Sequence, residues 1–123
     1  MVVEASFYKE GDGTCPVLEF LKDEPARVRQ QARERISLLK ERGHTARRPF
    51  VEYLGEDLYE LRWHTGRVQY RILYFFHGQK AVVLCHALTK EDKIPVADRN
   101  RALRRKSLFE ANPAKHTYQG DSL

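Results

Sequence analysis

Residues 58–90 read LYELRWHTGRVQYRILYFFHGQKAVVLCHALTK, and their period decides the fold. Leu58 to His64, Arg67 to Phe76 and Lys80 to Thr89 are rich in β-branched and aromatic residues, and Thr65-Gly66 and Gly78-Gln79 interrupt them. Connections this short join antiparallel neighbours, so the stretch is expected to form a three-stranded meander. Turn length then sets the register. Two-residue turns at Thr65-Gly66 and Gly78-Gln79 pair His64 with Arg67, Arg62 with Gln69 and Glu60 with Arg71. Across the second hairpin they pair Phe75 with Val82, Leu73 with Leu84, Arg71 with His86 and Arg67 with Lys90. Side chains alternate between faces. One face therefore gathers Glu60, Arg62, His64, Arg67, Gln69, Arg71, His86 and Lys90, while Tyr59, Leu61, Trp63, Val68, Tyr70 and Ile72 build the face that helices cover. Along the polar face Leu73, Phe75, Val82 and Leu84 follow, which predicts a concave site with an apolar floor.

Outward from the meander, Val2 to Lys9 alternates as a first strand and stops at Gly11-Asp12-Gly13. Thr14 is placed to cap a short helix with Pro16 near its start and Val17, Phe20 and Leu21 on one side. Asp23-Glu24-Pro25 opens a longer helix whose stripe is Val28, Ala32, Ile36 and Leu39 and whose stop is Gly43. Pro95 begins a last helix that runs to about Asn112, where Pro113 ends it. The expectation is an α+β domain over residues 1–112, in the order β-α-α-β-β-β-α. Its small antiparallel sheet carries the N-terminal helices on one face, and residues 113–123 form a loose tail.

A chain of 123 residues suits one domain, and 41% apolar residues suffice for a core at that size. Its longest apolar run, Ile72 to Phe76, is far short of the roughly 20 residues of a membrane span. Residues 1–10 lack a basic stretch followed by an apolar one, so a cytoplasmic protein without membrane contact is expected. Cys15 and Cys85 form no CxxC, which gives no support for a disulfide framework or a zinc site. Both read as reduced thiols. Charge is distributed unevenly: residues 1–57 hold 10 Lys+Arg against 11 Asp+Glu, whereas residues 58–106 hold 11 against 4. Arg outnumbers Lys 14 to 8, which suits oxyanions because the guanidinium fork binds them bidentately.

Taken singly, these residues have plain explanations. Glu60 beside Arg71 reads as a cross-strand ion pair, Arg62 and Arg67 as members of a wet sheet face, and His86 as a satisfied half-buried histidine. Together they gather permanent cations around groups that can move protons. There is no Gly-rich phosphate loop, no HExxH and no Ser-His-Asp pattern. A phosphodiester fits the group: arginines stabilise charge on a five-coordinate phosphorus while His86 or Lys90 exchanges protons. With RNA the attacking group can be the substrate's own 2′-hydroxyl, so neither metal nor cofactor is required. Lys90 would then need a lowered pKa, which neighbouring arginines favour.

The series Leu58-Tyr59-Glu60-Leu61-Arg62, Gly66, Tyr70-Arg71-Ile72-Leu73-Tyr74-Phe75-Phe76, His86-Ala87-Leu88-Thr89-Lys90 and Lys93-Ile94-Pro95 resembles the HigB-like, phage-derived-type branch of the RelE/ParE toxin superfamily. That resemblance implies a microbial-RNase-like fold and a small type II toxin, an mRNA interferase that cuts mRNA in the ribosomal A site and is neutralised by a cognate antitoxin. It implies that Arg71 is the main phosphate contact and that Arg62 and Lys90 belong to the RNA-binding or catalytic set. Joined with the residue reading, it makes Arg71, Lys90 and His86 the catalytic candidates and Arg62, Arg67, His64 and Lys93 the RNA-binding ones. The expected partners are mRNA on the ribosome and an antitoxin with a helix-turn-helix. The family often shows a Lys-Lys pair before Lys-Thr-Pro, whereas Glu91 follows Lys90 here, and near its C-terminus it often places a functional aromatic or His, for which His116 and Tyr118 stand. Two rivals are a gyrase-directed, ParE-like toxin and a non-catalytic basic module that binds nucleic acid or a partner.

Overall fold

The computed structural model describes residues 2–120 and 123. Its elements are β1 (Glu4–Phe7), α1 (Pro16–Lys22), α2 (Ala26–Arg42), β2 (Val51–Gly55), β3 (Leu58–Thr65), β4 (Val68–His77), β5 (Ala81–Thr89), α3 (Val96–Ala111) and α4 (Pro113–His116). Helix α2 forms where the apolar stripe predicts: Val28, Ala32, Ile36 and Leu39 are its buried residues, and Gly43 ends it at φ 52°, a conformation glycine adopts without a Cβ clash. Thr14 does not cap α1. Cys15 holds the cap position, and the Thr14 N–H is taken by Asp12 Oδ1 at 2.9 Å.

The sheet has five strands in the order β1-β5-β4-β3-β2, with β1 parallel to β5 and the other neighbours antiparallel. The expected all-antiparallel sheet and β-α-α-β-β-β-α order are therefore corrected in two respects. A strand, β2, lies on one edge beside β3, and β1 lies on the other edge parallel to β5, with α1 and α2 carrying the chain across the sheet from β1 to β2.

The register also differs. In the β3–β4 hairpin Thr65 pairs with Val68, so the loop is Gly66-Arg67 and Gly66, at φ 60°, takes its first position. A two-residue turn with glycine first has the twist that antiparallel strands need. Arg62 consequently faces Arg71, His64 faces Gln69 and Glu60 faces Leu73. The next loop is three residues long, because His77 pairs with Ala81, and a bulge opposite Leu73 and Tyr74 shifts β5 once more. Beyond the bulge Leu73 faces His86 and Arg71 faces Leu88; near the turn Phe75 faces Val83. The two one-residue shifts in β5 together restore period-two parity, so His86 keeps the predicted face while Val82 and Leu84 do not.

Two apolar cores result. On one face Val17, Leu21, Val28, Ala32, Ile36 and Leu39 pack with Leu61, Trp63, Tyr70, Ile72, Tyr74, Val82 and Leu84. On the other, Ala102 and Phe109 of α3 cover Leu58, Leu73, Phe75, Val83, Cys85 and Leu88. The expected open apolar floor is thus replaced by a second core under α3. Residues 113–118 are tied down rather than loose: the His116 ring stacks on Tyr8 at 5.2 Å, His116 Nδ1 meets the Lys9 carbonyl at 2.8 Å, and the Tyr118 N–H donates to the Phe7 carbonyl at 2.9 Å. Among the described residues no helix is long and apolar enough to cross a membrane.

Candidate functional site

Helix α3 covers Leu58, Leu73, Phe75, Val83, Cys85 and Leu88 on its face, and a neighbouring strip of β2, β3 and β4 borders open space. There a cleft of about 450 Å³ lies between the strands and the loop that joins β5 to α3. It is lined by Glu52 and Leu54 of β2, Glu60 and Arg62 of β3, Arg71 of β4, Glu91, Asp92, Lys93 and Ile94 of the loop, and Arg99 of α3.

Its centre is a carboxylate held by two guanidinium groups. Arg62 and Arg71 are directly opposite across β3 and β4, a placement that repels unless an anion intervenes. Glu60, only 1% exposed, supplies it: Arg71 Nη1 donates to Glu60 Oε2 at 3.0 Å, and Arg62 Nη1 is 3.5 Å from Glu60 Oε1. A carboxylate buried this deeply would be costly without such partners. Arg62 is further fixed by donation from Nε to the Pro49 carbonyl at 3.1 Å and by Glu52, 3.9 Å from Nη2. The pair is therefore pre-oriented, with part of its donor capacity spent on Glu60 and the Pro49 carbonyl, and both residues line the cleft. Arg71 Nε is buried and has no acceptor among the described residues.

Of the predicted residues, the structure brings Arg62, Arg71 and Lys93 together at the cleft. Four others do not line it. His64 is exposed on β3, Arg67 sits in the β3–β4 turn, and Lys90 is exposed just past β5, its N–H donating to the Gln69 carbonyl at 3.2 Å. His86 is buried under α3. Its Nε2 meets Asp98 Oδ1 at 2.7 Å, and its Nδ1 faces Arg105 Nη1 at 2.8 Å. Since Arg105 can only donate, Nδ1 is the acceptor and Nε2–H donates to Asp98. Burial pushes the His86 pKa below its ordinary value, Arg105 and Arg101 add to the depression, and Asp98 opposes it. This is the satisfied core histidine, and Arg71 is not its strand partner. The tail candidates also lie elsewhere: His116 is buried against Tyr8, and Tyr118 lines a separate cavity of about 490 Å³ with Cys15, Arg29 and Arg33.

Three participants were missed by sequence reasoning. Glu52 cannot be placed without β2, and Arg99, on the last helix, carries no motif that points to the sheet. Glu60 was placed on the right face but read as a surface ion partner; its burial follows from α3 and the β5–α3 loop closing over the sheet.

The family model described as Phage derived protein Gp49-like matches residues 19–107, from within α1 to within α3, and so spans every residue that lines the arginine cleft. No curated protein matches the chain.

Proposed function

From the chain's membership of the Gp49-like family of phage-derived proteins, we propose that it is a toxin of a toxin–antitoxin pair, acting as a metal-independent endoribonuclease on mRNA at the ribosome. The observation that carries this reading is the Arg62–Glu60–Arg71 group at the floor of an open cleft. Two guanidinium groups held by a buried carboxylate are pre-organised for charge that develops on a phosphate, which is where such groups lower a barrier most. In this scheme the 2′-hydroxyl attacks the adjacent phosphorus, Arg71 stabilises the five-coordinate phosphate, Arg62 and Lys93 hold the backbone, and the 5′-oxygen leaves. The products are a 2′,3′-cyclic phosphate and a 5′-hydroxyl. With both ring nitrogens of His86 engaged, the remaining proton carrier is Lys90, outside the cleft lining but adjacent to residues 91–93 that belong to it. Its ammonium donates to the leaving 5′-oxygen, and the 2′-hydroxyl proton passes to water.

A specific observation favours a second reading. The cleft lining holds as many carboxylates, Glu52, Glu60, Glu91 and Asp92, as cations, Arg62, Arg71, Lys93 and Arg99. A non-catalytic module that binds a partner of mixed charge fits that balance. Induced expression in a bacterium, followed by primer extension on cellular mRNAs, separates the readings. Cuts within codons support the nuclease; arrested replication with intact mRNA points to a gyrase-directed toxin, and unaffected growth points to the binding module.

A further inference from the structure

Beside the arginine cleft, across the β2–β3 turn, lies a smaller one of about 210 Å³ lined by His44, Asp57, Tyr59, Phe76, Lys106 and Glu110. Its walls are aromatic: Phe76 meets His44 in a parallel stack at 3.8 Å and Tyr59 edge-on at 5.3 Å, while Tyr53, on the edge strand, lies 4.9 Å from Tyr59. His44 and Tyr53 are exposed, and Tyr59 and Phe76 are half-buried. The volume is below the roughly 300–1,000 Å³ of pockets for drug-sized ligands, so it suits a single flat ring system.

The turn between the clefts is a two-residue hairpin: Gly55 pairs with Leu58, and Glu56 and Asp57 have φ of 53° and 58°, the two positive values that the favoured hairpin turn requires. Three contacts hold it: the Asp57 N–H donates to the Tyr53 hydroxyl at 3.1 Å, Arg99 Nη1 donates to the Leu54 carbonyl at 2.5 Å, and Arg99 Nη2 pairs with Glu56 at 2.9 Å. Asp57, the second residue of this turn, lines the aromatic cleft. Leu54 and Arg99 line the arginine cleft, so one short segment borders both sites.

We propose that the aromatic cleft holds one unpaired nucleobase of a single-stranded RNA, and that Asp57 selects bases carrying an exocyclic amino group. The inference rests on the RNA reading of the arginine cleft. Aromatic rings stack on any base, which makes them a platform for single strands. Of the two carboxylates that line the cleft, Glu110 is paired with Lys106 at 3.1 Å and Asp57 is left to accept from an amino group such as cytosine N4, so the base rather than the backbone belongs here. Phe76 lies five residues along β4 from Arg71, about 17 Å, and on the other face of the sheet. A strand whose phosphate sits at Arg71 would therefore round the β2–β3 turn and place a base several nucleotides away beside His44.

The probes are the hexaribonucleotides rC6 and rU6, titrated into the full chain and followed by NMR on the His44, Tyr59 and Phe76 rings. The expected result is tighter binding of rC6, by roughly tenfold for one hydrogen bond to a charged group, with ring shifts at these three residues. Asp57→Asn, which suits a positive φ and should fold, is expected to abolish the preference. His44→Ala should weaken both oligomers. Equal binding of rC6 and rU6, dependent on Arg71 but without shifts at the aromatic rings, overturns the base site and leaves the RNA reading standing. Failure of both oligomers to bind overturns the base site, while the RNA reading of the arginine cleft is decided by the primer-extension test on cellular mRNAs.

Discussion

Arg71 has two tasks that must be separated in any test. It faces the cleft, but it also neutralises Glu60, and its side chain is only 11% exposed. Arg71→Ala therefore leaves a buried carboxylate with Arg62 alone, and a loss of about 3 kcal/mol in stability is expected alongside any loss of activity. Arg71→Lys is the cleaner variant. It keeps a cation beside Glu60 but loses the fork that holds a phosphate bidentately. Its expected behaviour is near-native stability in urea unfolding with cleavage slowed roughly a hundredfold, the scale set by removing one pre-organised donor. Undiminished cleavage by a folded Arg71→Lys would remove the fork from the mechanism. Glu60→Gln tests the other partner. It leaves Arg71 without a countercharge and Arg62 with Glu52 alone, 3.9 Å away, so about 3 kcal/mol of destabilisation is expected. A surface ion pair would contribute less than about 1 kcal/mol, and a change that small would show that the burial of Glu60 carries little energy.

At the scale of elements, α3 is held to the sheet by a polar chain as well as by its apolar side. Asp98, His86 and Arg105 are linked in series, and Arg105 also donates to the Cys85 carbonyl at 3.0 Å and approaches Glu10 at 3.6 Å. Because the His86 pKa is lowered in the folded state, its contribution is fully present above the ordinary value of 6.5 and is lost as pH falls from there through the folded value. Protonated Nδ1 would face the Arg105 guanidinium, so melting temperature is expected to drop below about pH 6.5. The pH slope of His86→Gln in the same window should be flatter than that of the parent chain; an equal slope would assign the dependence to other groups. Trp63→Ala tests the opposite face. Trp63 is 4% exposed and stacks on Tyr70 at 5.6 Å, so roughly 3–5 kcal/mol should be lost through a core cavity. Strands β3 to β5 were legible because their β-branched and aromatic runs are long and glycines mark both turns. Strand β2 was not, since Val51–Gly55 is only five residues long, its β-formers Val51, Tyr53 and Leu54 do not make a sustained run, and its edge position needs only one neighbour. Registers escaped because the glycine that enables a turn does not say which loop position it takes, and because a bulge leaves no signature in composition. The buried state of Glu60 and the enclosure of His86 depend on where α3 lands, which is a tertiary outcome.

For the molecule as a whole, the charge distribution predicts how binding responds to salt. Residues 58–106 hold 11 cations and 4 carboxylates, yet the cleft itself is balanced, so most of the excess lies outside it. Each phosphate neutralised on a single strand contributes about −0.7 to the slope of log affinity against log salt. If RNA touches Arg62, Arg71 and Lys93 alone, the slope should be about −2, or a loss of roughly twentyfold between 50 and 200 mM salt. If the strand continues along α3, where Arg101 and Arg104 are exposed, two more phosphates bring the slope to about −3.5. Fluorescence anisotropy with a labelled oligoribonucleotide across that salt range measures the slope. The substitution Arg101→Gln with Arg104→Gln should return the steeper slope to the shallower one while leaving a residual dependence that Arg71→Lys does not remove. An affinity that ignores salt would mean that no phosphate is neutralised, and the cleft would then have to be read as a docking surface for a protein.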